Sequence, residues 1–87
     1  MVALSADDMT PVINRLRRAQ GQLGGVLAMI EDGRECEDVV TQLAAVSKAV
    51  DRAAYTIIAS TLRRCIDAGD EDSLDAKRLE KIFLSFA

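Results

Sequence analysis

The stretch from Cys36 to Ile66 contains neither proline nor glycine, and alanine, valine, leucine and isoleucine make up much of it. Its apolar residues recur at steps of three and four, as in Val39, Leu43, Val46 and Val50. This spacing predicts one continuous helix of about eight turns. We expect the rest of the chain to be organised around this helix.

The two cysteines of the chain, Cys36 and Cys65, stand at opposite ends of this predicted helix. Along a continuous helix, 29 residues of separation correspond to roughly 43 Å at about 1.5 Å per residue. A disulfide requires Cα atoms within about 7 Å of each other. The two thiols can therefore meet only when Cys36 of one subunit faces Cys65 of another, as two antiparallel helices would arrange them.

Two further helices are predicted, one on each side of the long one. The first runs from the region of Pro11, which suits a first helical turn, to Ile30 or Glu31, and Gly33 follows its end. Its candidate N-caps are Ser5, Asp7, Asp8 and Thr10. The third helix follows Asp72 or Ser73. It places four apolar residues on one side, namely Leu79, Ile82, Phe83 and Phe86.

The fold class predicted from this pattern is all-α, with three helices and no strand. The length fits one domain over residues 1–87, with residues 1–8 as a disordered tail. A helical chain this short buries little area alone, so oligomerisation is expected to stabilise it. We expect no membrane span and no secretory signal, and we place the protein in the cytoplasm, where thiols stay reduced.

Three glycines, Gly21, Gly24 and Gly25, lie inside the first predicted helix. Each costs about 1 kcal/mol of helix propensity relative to alanine. Their presence indicates either that another backbone, from a helix or a nucleic-acid strand, approaches closely, or that the helix simply tolerates them.

The net charge of −3 argues weakly against nucleic acid, but its distribution is uneven. Residues 9–30 hold three arginines and no acid, whereas residues 67–75 hold five acids and no base. Helical spacing places two polar sets on common faces: Arg15, Arg18 and Gln22 on the first helix, and Lys48, Arg52 and Tyr55 on the second. Such faces either neutralise phosphates or are solvated surfaces of amphipathic helices.

The thiols are open to two interpretations. Cys36 begins a helix beside Arg34, a position that favours a thiolate nucleophile, although Glu35, Glu37 and Asp38 work against it. Cys65 lies near the C-terminal end, where the helix dipole disfavours a thiolate and Arg64 counteracts this, so Cys65 would be the resolving partner. Alternatively, both are small buried residues, which suits Cys65 better than Cys36.

The sequence contains no histidine. Zinc, nickel and cobalt sites usually need imidazole or more thiolates, so no site for these metals is predicted, whereas soft thiolates leave Cu(I) open. Catalytic triads that depend on histidine are excluded. Phosphate-binding loops that follow a strand are excluded as well, so we expect no enzyme.

Three segments together resemble a known family. They are INRLRRAQGQLGGV at residues 13–26, Cys36 followed by DVVTQLAAV at residues 38–46, and Cys65. In their order and in the cysteine spacing, residues 10–66 resemble the copper-sensing repressor family (CsoR/RcnR) of bacterial transcription regulators.

The resemblance implies a three-helix protomer, an antiparallel dimer and a dimer-of-dimers tetramer. It also implies operator DNA bound across basic faces of the first two helices. The DNA contacts it favours in this chain are Arg15, Arg18, Gln22, Lys48 and Arg52.

The chain departs from the copper-sensing members at two positions. Thr61 stands where they have a histidine, and Glu35 stands where they favour a tyrosine. A dithiol without histidine looks like the persulfide-sensing, CstR-like branch, in which a di- or polysulfide joins two subunits. The sequence therefore predicts a homotetrameric repressor that senses reactive sulfur species through Cys36 and Cys65, without a cofactor. The alternatives are a Cu(I) sensor using the same two thiolates and a helical interaction module that does not bind DNA.

Overall fold

The computed structural model describes residues 3–69 and 73–86 of the chain. They form three helices, α1 over Thr10–Glu31, α2 over Cys36–Asp67 and α3 over Leu74–Phe86, and the described residues contain no strand. The prediction of an all-α protomer with one long central helix is confirmed. As far as they are described, none of the helices has the length and apolar character that crossing a bilayer requires.

Helix α2 is continuous over 32 residues, and α1 and α3 each pack against it. Within the described residues, α1 and α3 do not approach each other. The resulting molecule measures 53 × 26 × 15 Å, so it is long and flat. All tertiary packing between helices therefore involves α2.

The start of α1 differs from the prediction. Its N-cap is Met9, which makes no side-chain capping bond, and none of the polar candidates serves as the cap. Those candidates were Ser5, Asp7, Asp8 and Thr10. Met9 is buried beside Val12 and Ala53, and its backbone N–H donates to carbonyl oxygens in the preceding turn. Burial of Met9 and backbone hydrogen bonds thus replace a polar cap.

The ends of α1 and α2 both use glycine in the left-handed region. Gly33 has φ of 70°, its N–H donates to Ile30, and the N–H of Arg34 donates to Met29 at 3.0 Å. This pattern is a Schellman motif and confirms Gly33 as the residue that follows the α1 cap. Gly69, at φ of 77°, ends α2 in a related way by donating to Ile66.

The interior of the protomer is thin. A small cluster of Met9, Val12 and Ala53 contacts Ile13 and Ile57, and among the described residues no large side chain is fully buried. Large apolar side chains of α1 and α2 remain exposed: Leu16, Leu23, Leu27, Ile30, Val40, Leu43, Val50 and Ile66. These exposed residues support the prediction that subunits associate along these helices.

Helix α3 begins as predicted, with the Ser73 hydroxyl accepting a hydrogen bond from the N–H of Ala76 at 3.1 Å. The other candidate cap, Asp72, lies outside the described residues, as does the side chain of Phe86. Phe83 meets Tyr55 of α2 edge to face, with ring centroids 5.3 Å apart. Ile82 is 40% exposed, so it lies at the margin of the packed face.

The segment predicted as a disordered tail includes Asp8, whose carboxylate lies 3.0 Å from the Arg64 guanidinium near the end of α2. This exposed ion pair joins residues far apart in the sequence. The division into one domain with a tail over residues 1–8 stays a prediction.

The glycines inside α1 meet open space within this chain. A Cβ atom added at Gly21, Gly24 or Gly25 would have no heavy atom of a neighbouring element within 4 Å. Close approach by another helix of the same chain is therefore not the reason for these glycines. Approach by a second subunit or by nucleic acid stays a prediction.

The substitution Gly25→Ala is expected to raise the free energy of unfolding by about 1 kcal/mol, because alanine favours the helix and the added methyl group meets nothing. Gly33→Ala is a control with the opposite expected effect. A side chain on the left-handed backbone at this position should lower the free energy of unfolding by about 1 kcal/mol. Urea unfolding followed by circular dichroism, at one protein concentration, measures both. A loss of stability in Gly25→Ala would indicate that another subunit packs against this position.

Candidate nucleic-acid interface and thiol pair

A groove between α1 and α2 collects most of the predicted DNA contacts. It has a volume of about 220 Å³. Its lining residues are Arg15, Arg18 and Gln22 from α1, with Ala45, Ala49 and Arg52 from α2. Three of these residues are arginines and none is an acid, so the groove is a positively charged surface.

Helical spacing explains why these residues meet. Arg15, Arg18 and Gln22 follow one another at steps of three and four, which places them on one face of α1. On α2, Ala45, Ala49 and Arg52 follow the same rule. The two small alanine side chains leave the space that the longer arginine and glutamine side chains border.

A hydrogen-bonded link joins the two helices at this groove. The Arg15 guanidinium donates to the Thr56 hydroxyl at 3.3 Å. That hydroxyl in turn donates to the backbone carbonyl of Arg52, one turn earlier, at 2.9 Å. Arg15 is thereby tied to the same turn of α2 that carries Arg52.

Lys48 lies in an adjoining depression of about 310 Å³ rather than in the groove itself. This depression is lined by Lys48, Asp51, Arg52, Tyr55 and Thr56. Arg52 lines both hollows and connects them. Tyr55, predicted to share this face, is half-buried because its ring also packs against Phe83 of α3.

Thr56, Ala45, Ala49 and Asp51 were not among the predicted site residues. Thr56 follows Arg52 by four residues, so helical spacing already placed it on the basic face. Its contact with Arg15 could not be read from either helix alone, since it depends on how α1 and α2 pack.

The combined surface has the chemistry needed to hold phosphates. Guanidinium groups bind phosphate oxygens through paired N–H donors, and an amide such as that of Gln22 adds neutral hydrogen bonds. Asp51 is the acidic member of the adjoining depression and reduces its positive charge.

The structure places the two thiols as the sequence predicted. Cys36 is exposed at the first residue of α2, Cys65 is half-buried near its last turn, and both are free. Because α2 is unbroken, the helix holds them roughly 43 Å apart within one chain. They cannot form a disulfide inside a protomer.

The arginines beside the cysteines have carboxylate partners. Arg34 lies 3.9 Å from Asp38, and Arg64 lies 3.0 Å from Asp8. The positive charges of Arg34 and Arg64, which are predicted to favour thiolates at the neighbouring cysteines, are thus each paired with a carboxylate in a solvent-exposed ion pair.

Thr61, one turn before Cys65, is 4% exposed, and its hydroxyl donates to the carbonyl oxygen of Ile57 at 2.8 Å. The proton of this hydroxyl is therefore engaged within the helix. Among the described residues, no three cysteine, aspartate or glutamate side chains are grouped so as to hold a metal. Sulfur donors for a soft metal such as Cu(I) would have to come from Cys36 and Cys65 of different subunits.

The chain is similar in sequence to copper-sensing transcriptional repressors of mycobacteria. It is 30% identical to the copper-sensing transcriptional repressor CsoR of Mycobacterium ulcerans, over 87% of this chain and 65% of that protein. It is 40% identical to the copper-sensing transcriptional repressor RicR of Mycobacterium tuberculosis, over 60% of this chain and 54% of that protein. The chain thus spans less than two thirds of the length of these relatives.

The fold has a counterpart among solved structures. The crystal structure of the copper-sensing repressor CsoR with Cu(I) from Geobacillus thermodenitrificans superposes with a TM-score of 0.76, covering 99% of this chain and 93% of that chain. At 23% identity, this likeness establishes the fold alone.

Residues 8–85 match the family described as metal-sensitive transcriptional repressor. That family consists of transcriptional repressors and not of enzymes, in agreement with the prediction that the chain is not an enzyme. With nearly its whole length matched, the chain belongs to the metal-sensitive transcriptional repressor family.

Proposed function

We propose that this protein is a cytoplasmic, homotetrameric repressor that releases operator DNA when reactive sulfur species link Cys36 of one subunit to Cys65 of another. The observation that carries DNA binding is the groove in which Arg15, Arg18, Gln22 and Arg52 come together. In this proposal, antiparallel dimers pair into the tetramer through the exposed apolar side chains of α1 and α2.

The proposed DNA contacts are Arg15, Arg18, Gln22, Lys48 and Arg52. A single groove of about 220 Å³ is too small to hold a duplex, so each protomer would contribute one patch of phosphate contacts. Several patches on one face of an assembly would follow the DNA backbone over more than one turn. Binding of this kind depends steeply on salt, because each neutralised phosphate releases counterions.

The proposed sensing reaction uses the persulfide as the oxidant. The thiolate of one cysteine attacks the outer sulfur of a persulfide RS–SH, the S–S bond breaks, and RS⁻ leaves. The protein then carries a cysteine persulfide. The second thiolate attacks the protein-bound sulfur of that group, forming the Cys36–Cys65 disulfide and expelling HS⁻. A second equivalent of persulfide before closure would leave an additional sulfur atom in the bridge.

Two features favour this chemistry over metal binding. The chain has no histidine, and Thr61, which stands one turn before Cys65, is buried with its hydroxyl bonded to Ile57. Position 61 therefore supplies no third metal ligand beside the two thiols. Two thiols alone are sufficient for disulfide exchange, whereas most metal sites need more ligands.

Cu(I) is the second candidate effector, since the two curated relatives are named copper-sensing and the similar crystal structure contains Cu(I). The donor type fits, because thiolates select Cu(I). Cys36 and Cys65 of two subunits would hold the ion, and Cu(I) would act as a soft acid that joins them. In either case the protein's own contribution is to bring two thiols of antiparallel α2 helices together.

Replacement of Arg15 or Arg52 by alanine is expected to weaken binding to a duplex from upstream of the protein's own gene roughly eightfold at about 0.1 M salt, because one phosphate contact is lost. The plot of log K against log[salt] should become shallower by about one unit in each variant. Fluorescence anisotropy over a salt series measures both quantities. Arg17→Ala is the matched control, since Arg17 is also exposed on α1 but does not line the groove.

Equal losses in Arg15→Ala and Arg17→Ala would contradict the assigned surface. Absence of any salt-dependent duplex binding by the unsubstituted protein would contradict the repressor proposal and favour an interaction module without DNA binding.

Treatment of the reduced protein with a persulfide donor is expected to produce covalent dimers, which intact mass under non-reducing denaturing conditions would detect. Cys36→Ser and Cys65→Ser should each stay monomeric when treated alone. A co-refolded mixture of these two variants should regain a dimer with one bridge, because Cys65 of the first variant meets Cys36 of the second. Recovery in the mixture establishes pairing between subunits, which helix length requires.

Unmodified monomer in all samples would contradict persulfide sensing. An anaerobic Cu(I) titration then distinguishes the second candidate: tight stoichiometric binding that weakens duplex affinity, and that both serine variants lose, would favour copper.

A further inference from the structure

We infer that Thr56 is a positioning residue for operator binding: its hydroxyl holds the Arg15 guanidinium of α1 in register with Arg52 of α2. The inference rests on the proposed DNA-binding function and adds to it a residue that need not touch DNA.

The geometry centres on one oxygen atom. Thr56 Oγ1 donates its proton to the Arg52 carbonyl at 2.9 Å and accepts a proton from Arg15 Nη1 at 3.3 Å. A hydroxyl has one donor and two acceptor sites, so donation to the backbone leaves its lone pairs for Arg15. The bond to Arg52 thus orients the Thr56 hydroxyl as an acceptor on the side that Arg15 occupies.

This arrangement matters because arginine has many rotamers. An exposed arginine loses much side-chain entropy when it is held in one position against a phosphate. A hydrogen bond that already holds Arg15 before DNA arrives reduces that loss. The guanidinium has five N–H donors, and with one given to Thr56, the others stay available for a phosphate.

The position of Thr56 in the molecule agrees with this role. Thr56 lines the depression that contains Lys48, while Arg15 lines the groove that contains Arg18, and Arg52 lines both. The link through Thr56 therefore spans the boundary between the two basic hollows. This link sets the distance between the charge of Arg15 on α1 and the charge of Arg52 on α2. That distance has to match the spacing of the phosphates that the two arginines would bind.

The test uses the full-length protein and a fluorescein-labelled duplex from upstream of its own gene. Thr56→Val removes the hydroxyl but keeps the shape, and it should weaken duplex binding roughly threefold to tenfold, as expected for one hydrogen bond. The slope of log K against log[salt] should stay unchanged, because the number of neutralised phosphates is the same. Thr56→Ser keeps the hydroxyl and should restore binding to within about twofold.

A double-mutant cycle shows whether Thr56 acts through Arg15. In an Arg15→Ala background, Thr56→Val should change affinity by less than about twofold. An equal loss in both backgrounds, or a shallower salt slope in Thr56→Val alone, would overturn the positioning role while leaving the repressor proposal intact. Failure of the unsubstituted protein to bind the duplex would instead overturn the proposed function, and the inference with it.

Discussion

The unbroken helix α2 is the constraint on which the rest of the structure depends. It contacts both other helices and carries the cysteines at its two ends, with Lys48 and Arg52 between them. Arg52 lies 16 residues from Cys36 and 13 from Cys65, or roughly 24 and 20 Å along the helix axis. Neither thiol of the same chain can therefore contact Arg52. In the proposed function, chemistry at the thiols can affect DNA binding only by changing how α2 packs against its neighbours.

Local features of the sequence predicted the three helices closely. Gly33 marked the end of α1 and Ser73 capped α3, because glycine adopts a left-handed backbone easily and a serine hydroxyl can accept from a nearby N–H. The cap of α1 was missed because burial of Met9 against Val12 and Ala53 decides where that helix begins. Such burial depends on the tertiary fold, which short-range propensities do not contain.

The candidate site was likewise predictable only in part. Spacing along one helix predicted the face shared by Arg15, Arg18 and Gln22, and the groove brings that face against Arg52. Contacts between helices were not predictable from spacing. The hydrogen bond between Arg15 and Thr56 joins residues 41 apart, and the ion pair between Asp8 and Arg64 joins residues 56 apart. The ion pair between Arg34 and Asp38, by contrast, joins residues only four apart, so the sequence already indicated an acid near this arginine.

Charge distribution explains how an acidic chain can present a DNA-binding surface. The net charge is −3, yet the six residues that line the groove include three arginines and no acid. The sequence holds five acidic residues between positions 67 and 75, around the junction of α2 and α3, and none between positions 9 and 30, which include the α1 positions that line the groove. Phosphates respond to the nearest charges, since salt screens the others within about 8–10 Å.

The thin interior connects stability, sensing and DNA binding. Because α1 and α2 leave many large apolar side chains exposed, burial between subunits would supply stability that one chain lacks. In the proposed antiparallel dimer, a sulfur bridge at each end of the paired α2 helices sets their register, since both Cα pairs must lie within about 7 Å at once. Successive helix residues are about 1.5 Å apart along the helix axis, while the phosphates of one DNA strand rise by about 3.4 Å per nucleotide along the duplex axis. A shift of one or two residues in register would therefore displace the basic grooves of the two subunits by a distance comparable to that rise. The proposed bridge can thus lower DNA affinity without contacting any DNA-binding residue.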